Sequence, residues 1–265
     1  MINSFKHKQA GFTLVELVTV IILLGVVGTF SSRFIADNVV LYQSSVNQNE
    51  RLNDARFVLN RMAKELDSAI AFSVRVDGSC MSFVPFNAAG QYLNSVAREI
   101  DPIQLIMDPV SRKLGGDATG TFVDQRISVL TTSAADFYDI PEVADDSIAT
   151  IQSYIASGSQ ATLTLDYPLD RDSAASRYFI AESKVRYCLS AGQLRRSQVL
   201  LTESFPLLIS TSGVLMADNL STESSMSLTN ASQFSNAILE LDFRFLLRDG
   251  NEIKFEHQVV MSNVP

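Results

Sequence analysis

Nineteen residues from Phe12 to Phe30 contain a single charged side chain, Glu16. A helix of about 20 apolar residues is long enough to cross the hydrocarbon of a bilayer. A carboxylate at that depth costs roughly 2.5–3.5 kcal/mol even on lenient insertion scales. The run therefore commits this part of the chain to a helix out of water, and it obliges Glu16 to find a partner. The preceding segment, Met1–Gly11, is polar and basic (Lys6, His7, Lys8) and ends in a lone glycine. Cleavage after Gly11 would leave the positive amino group of Phe12 within one helical turn of Glu16. An ordinary secretory signal has an apolar core of about 7–15 residues and a small-residue cleavage site. This run is longer and has no clear site of that kind.

The stretch Gly11-Phe12-Thr13-Leu14-Val15-Glu16-Leu17 resembles the class III signal of type IV prepilins and type II secretion pseudopilins. The resemblance implies that a membrane-embedded prepilin peptidase cuts after Gly11 and methylates the new amino-terminal Phe12. It also implies that Glu16 pairs with the terminal amine of a neighbouring subunit and sets helix register in a filament. Lys6 and Lys8 on the leader side satisfy the positive-inside rule, which keeps the amino end cytoplasmic and exports the rest.

Beyond Arg33 apolar residues continue at Ile35, Val39, Tyr42, Val46, Leu52, Ala55, Leu59, Met62, Leu66 and Ile70, mostly three or four apart. That is the helical period, and no proline occurs before Pro85. The spacing predicts one continuous helix from Phe12 to about Ile70; a break near Ser31-Ser32 with a second amphipathic helix is the alternative. Major pilins commonly carry a helix-breaking proline in this region, whereas here the chain reads Ser31-Ser32-Arg33-Phe34.

After Phe72 the pattern changes to short alternating runs. Ser73–Val76, Asp77-Gly78 and Cys80–Phe86 predict a hairpin, since Asp-Gly between extended runs is a strong turn signal. Arg177–Leu189, Ala191-Gly192 and Gln193–Leu201 predict a second. Ile238–Leu247, Asp249-Gly250 and Glu252–Met261 predict a third, with Leu239, Leu241, Phe243 and Phe245 alternating against Glu240, Asp242 and Arg244. The segment Ser111–Gln160 is rich in Gly, Ser, Thr, Ala and Asp, which reads as long loops with one or two short helices, one of them around Ala144–Ile155. The expected fold is α+β: residues 1–11 a leader, 12–34 the membrane-spanning half of the helix, 35–72 its periplasmic amphipathic half, and 73–265 a β-rich globular head.

The two cysteines, Cys80 and Cys188, both fall on predicted strands. An exported chain favours a disulfide between them over two buried thiols, and their spacing fits no zinc site. No metal or cofactor is expected. The acids Asp166, Asp170 and Asp172 offer oxygen ligands, but Pro168 interrupts them and the spacing is irregular, so a solvated acidic loop is the preferred reading. The one histidine beyond the leader, His257, lies on a predicted strand, and no nucleophile elbow, phosphate loop or His-Glu-x-x-His is present. An enzyme is not expected. The formal charge is −8 and becomes −10 without Lys6 and Lys8, which argues against nucleic acid as a partner.

Without the leader the chain has 254 residues, large for a major pilin and closer to the J-type pseudopilins and larger minor pilins. Scattered segments resemble the MshO-type minor pilins of mannose-sensitive haemagglutinin (MSHA) pili. They are Ser32–Ile35, Ala55–Phe57, Arg61–Leu66, Ser73–Val76, Cys80–Pro85, Val185–Leu189 and Asn263–Pro265. The resemblance implies an inner-membrane, single-pass minor pilin with a periplasmic head, found at the pilus base or tip after assembly. It implies as partners the prepilin peptidase, other minor and major pilins and the inner-membrane assembly platform. A J-like pseudopilin of a type II secretion system and a tip adhesin are the alternatives. We predict that intact-protein mass spectrometry finds the mature chain beginning at N-methylated Phe12; a start elsewhere would remove the basis of the resemblance.

Overall fold

The helical periodicity of the amino-terminal quarter is realised as a single element. In the computed structural model, which describes residues 11–70, 72–98, 102–138, 147–207, 213–230 and 235–261, helix α1 runs from Leu14 to Leu66. At 1.5 Å per residue its 53 residues span roughly 80 Å. There is no break at Ser31-Ser32. The helix stops short of Ile70 because its end tightens: the N–H groups of Ser68 and Ala69 donate to carbonyls three residues back, on Glu65 and Leu66. Ile70 donates instead to the Val84 carbonyl at 2.9 Å, so this buried apolar residue is held on the sheet rather than on the helix. The leader residues 1–10 and the terminal Asn263–Pro265 lie outside the described residues.

Two compact units divide the chain, residues 1–50 and 51–265. The second contains the helical residues from Arg51 onward and all fourteen described strands. These are β1 (Arg75–Asp77), β2 (Cys80–Phe83), β3 (Ala88–Leu93), β4 (Ile103–Met107), β5 (Arg126–Ser128), β6 (Ile148–Ser157) and β7 (Gln160–Leu165). They continue with β8 (Arg177–Ala181), β9 (Ser183–Ser190), β10 (Gln193–Leu200), β11 (Val214–Ala217), β12 (Ser225–Thr229), β13 (Ala237–Leu246) and β14 (Glu252–Met261).

The helix and two sheets make the first core. Ala55, Val58, Met62 and Leu66 recur at helical spacing on one face and are fully buried. They pack in one cluster with Met81, Phe83, Val185 and Tyr187 of the five-stranded sheet β1-β2-β9-β10-β11. Leu239, Leu241, Phe243 and Phe245 of the three-stranded sheet β12-β13-β14 complete it. The three predicted hairpin turns are all present. In the β9–β10 turn both Ala191 (φ 51) and Gly192 (φ 72) are left-handed, the conformation that matches the twist of the flanking strands.

The second core corrects the sequence reading. Between β2 and β9, which are neighbours in the same sheet, the chain leaves to build a closed six-stranded antiparallel barrel, β3-β4-β7-β6-β5-β8. Its interior is filled by Leu105, Ile151, Tyr154, Leu163, Tyr178 and Ile180, so it is a packed core and not a pore. Strand β3 passes so close that a Cβ on Gly90 would lie 2.2 Å from the Ile106 carbonyl oxygen. Over its described residues Ser111–Gln160 is therefore no run of loops: it holds β5 and β6 and begins β7, with short helical segments at Arg112–Gly116, directly after α2 (Pro109–Ser111), and at α3 (Ala135–Tyr138). The expected helix around Ala144–Ile155 is strand β6 over its described part. A register shift between Ile151 and Ser153 turns both Ile151 and Tyr154 inward, and this three-residue spacing imitates a helical period. Arg177–Leu189, expected as one hairpin arm, is two strands split at Glu182 between barrel and sheet.

Glu65 ties the helix to the sheet. Its carboxylate accepts hydrogen bonds from Arg61 Nε (2.5 Å), Arg196 Nε (2.9 Å) and the Tyr187 hydroxyl (2.9 Å). Burial alone would push its pKa up, but the bonds from Arg196, Arg61 and Tyr187 outweigh it and hold the group below its usual value. A carboxylate depressed in the folded state stabilises fully above the unfolded value of about 4.3, and the contribution is lost as pH falls through the folded value. We predict that Glu65→Ala costs about 2–4 kcal/mol in urea unfolding near neutral pH. The loss should shrink as pH falls below about 4; a pH-independent loss would show that the charge is not what matters.

Candidate processing and assembly site

The unit formed by residues 1–50 contains every residue that the prepilin resemblance singles out. Gly11, Phe12 and Thr13 precede the helix, which begins at Leu14. Thr13 Oγ1 accepts a hydrogen bond from the Glu16 N–H at 3.3 Å, and the Thr13 carbonyl accepts from the Leu17 N–H at 3.2 Å. Thr13 is thus the N-cap and Glu16 the third helical residue, the positions of a Thr-x-x-Glu capping box. The first turn also places the Glu16 carboxylate at the positive end of the helix dipole. Thr13 was not singled out from the sequence, although its spacing to Glu16 is a legible signal.

All residues from 11 to 46 are exposed, Phe12 to 79%. Thirteen large apolar side chains between Phe12 and Phe30 face outward on all sides of the helix. Removing them from water is worth on the order of 20 kcal/mol. This is the only described helix long and apolar enough to cross a membrane. Its hydroxyls are compatible with lipid, because Thr19 and Thr29 donate to the carbonyls of Glu16 (2.9 Å) and Val26 (2.8 Å). Gly25 and Gly28 have no neighbour within 4 Å of a would-be Cβ, leaving a flat patch where another helix could approach closely. Among the described residues the Glu16 carboxylate forms no ion pair.

The family model described as "Prokaryotic N-terminal methylation motif" matches residues 6–32. This is a type IV pilin-like amino terminus. The motif implies processing by a prepilin peptidase and association with other pilins, and with the apolar helix it supports a single-pass membrane anchor. No curated protein and no solved structure matches the chain significantly.

The remaining sequence candidates lie in the other unit. Cys80 and Cys188 are joined by a disulfide and stand directly opposite each other on β2 and β9. The three acids of the 166–172 loop tie it to neighbouring segments. Asp166 accepts from the Thr150 N–H (2.7 Å), Asp170 pairs with Arg98 (3.3 Å), and Asp172 accepts from the Ser95 hydroxyl (2.6 Å) and Val96 N–H (2.8 Å). His257 is a half-buried residue of β14.

We predict that Thr13→Val speeds amide exchange at Glu16 in the micelle-bound protein, because an N-cap side chain contributes about 1 kcal/mol to the first turn. Unchanged exchange would show that Thr13 does not cap the helix.

Proposed function

We propose that the protein is a minor pilin of a type IV, MSHA-like pilus, acting in the initiation of assembly, in the tip complex, or in both. The observation that carries the reading is Glu16. It is a carboxylate in a membrane-length helix, it forms no ion pair among the described residues, and it lies one turn from the residue that processing would make the amino terminus. An unpaired charge there is costly, and the amine of a neighbouring subunit would relieve it.

Two features favour a minor over a major pilin. The processed chain is large, and the six strands between Ala88 and Ala181 form a barrel inserted into the head. The described segments that resemble MshO-type pilins fall on α1, β1, β2 and β9 or beside them, and none lies within a barrel strand. In this reading the protein sits in the inner membrane, with its head in the periplasm, and passes to the pilus base or tip. The basic leader and the Cys80–Cys188 disulfide support that orientation. The assembly platform and sibling pilins are its partners, and it carries out no catalysis.

The inserted barrel keeps one rival in view, a tip adhesin that binds through the strands and loops of 111–160. A J-like pseudopilin shares the processing signal and is separated by the machine it serves. An in-frame deletion scored in parallel for surface pili and extracellular enzyme secretion should abolish pili and spare secretion. Lost secretion with intact pili would overturn the assignment. Glu16→Val should be cleaved normally yet enter filaments poorly, and normal piliation in that variant would remove the pairing role.

A further inference from the structure

The outer face of the five-stranded sheet, opposite the helix, collects positive charge that forms no ion pair among the described residues. Register places Arg75 of β1, Ser82 of β2 and Arg186 of β9 in one row, and Lys184 lies two residues along β9. Since Met81, Phe83, Val185 and Tyr187 turn toward the helix, these side chains turn away from it. Two aromatic rings interleave with them. The Arg75 guanidinium lies 3.8 Å from the centre of the Tyr138 ring, and Lys184 Nζ lies 6.0 Å from Tyr138 and 5.5 Å from Phe205. The Arg186 guanidinium lies 4.4 Å from the centre of Phe205.

Elsewhere in the head, Arg51, Arg61, Arg98, Arg196, Arg244 and Lys254 each pair with a carboxylate. Arg75, Lys184 and Arg186 form no ion pair among the described residues. Lys184 is 6% exposed, and its ammonium has only the Leu201 carbonyl at 3.3 Å. Arg186 Nη2 donates to the Pro206 carbonyl at 2.7 Å, while its Nε is buried without a partner, as is the Tyr138 hydroxyl. Burial, then the nearness of Arg75 and Arg126, push the Lys184 pKa down. Glu203 acts on Lys184 from a distance, but its carboxylate accepts the Leu200 N–H at 3.3 Å. Arg75 also lines, with Thr132 and Ser133, an open cavity of about 640 Å³ that Lys184, Arg186 and Tyr138 do not line.

We propose that Arg75, Lys184 and Arg186, with the Tyr138 hydroxyl, form a binding site for a phosphate-type oxyanion. Guanidinium groups match the geometry of phosphate oxygens, and a doubly charged anion would meet three cations and two unused donors. The rings hold the two guanidinium groups in place; the Arg75 side chain makes no hydrogen bond among the described residues, and Arg186 keeps its Nε unpartnered. The inference is independent of the pilin reading and does not fall with it.

The test is isothermal titration of the full-length protein in detergent with inorganic phosphate, at constant ionic strength set by chloride. Saturable binding is expected, and Arg75→Gln and Arg186→Gln should each weaken it by about tenfold or more. Arg195→Gln is the control. It removes the same charge from the same face, where Arg195 donates to the Gly213 carbonyl, and should change affinity by less than about twofold. Titration with glycerol 3-phosphate separates the sources: equal or tighter binding supports an esterified phosphate, and much weaker binding supports the free ion. Thermal melts give a second readout. Lys184→Met should raise Tm in phosphate-free buffer, by relieving a buried charge, and should lower it in saturating phosphate. No saturable binding, equal weakening by Arg195→Gln, or a Lys184→Met loss that ignores phosphate would each overturn the proposal. So would a roughly tenfold gain on neutralising the acids Asp139, Glu142, Asp145 and Asp146, since the chain's own carboxylates would then hold the site.

Discussion

The pairing of β2 with β9 is the contact on which the head depends. Four residues of each strand are matched, Cys80 with Cys188, Met81 with Tyr187, Ser82 with Arg186 and Phe83 with Val185. That register sends Met81, Phe83, Val185 and Tyr187 to the helix and leaves Ser82, Lys184 and Arg186 outside. A slip of one residue would exchange the two faces, burying cations and exposing the core. The barrel is an excursion between these strands, and only Glu182 separates its last strand from β9. The disulfide closes the loop that contains the excursion. Across a separation of 108 residues it contributes about 5 kcal/mol on a chain-entropy account.

Two carboxylates on α1 divide its roles. Glu65 is satisfied within the chain by two arginines and a tyrosine, and it holds the helix to the sheet. Glu16 stands in the apolar segment, where the described residues offer it no ion pair, and the proposed pairing would supply one from a neighbouring subunit. The apolar patterns differ in the same way. From Phe12 to Phe30 the helix is apolar on every side, whereas between Ala55 and Leu66 only one stripe is buried. The first pattern suits lipid or neighbouring helices, and the second suits a single sheet surface.

The long helix, the three hairpins and the alternation of β13 were legible in the sequence because each rests on residues close together in the chain. Thr13 was legible too, through its three-residue spacing from Glu16. The barrel was not. Only β6 and β7 are joined by a tight turn, at Gly158-Ser159; β5 pairs with β6 and β8, and β4 with β7, across long intervening segments, β5 has only three residues, and the bulge in β6 gives Ile151 and Tyr154 a helix-like spacing. The split between β8 and β9 was hidden for another reason. A run of extended residues carries no mark of passing from one sheet to another when a single residue makes the change.

By itself the sequence determined the membrane-length helix, the Gly11-Phe12…Glu16 signal and the turns, since each follows from local periodicity or from one backbone conformation. Tertiary structure alone decided that β2 and β9 are neighbours, that a barrel closes between them, and that Arg75, Lys184 and Arg186 share one face. These depend on contacts between residues a hundred positions apart. Their energies come from burial and pairing after the chain has closed, and no short stretch of sequence encodes them.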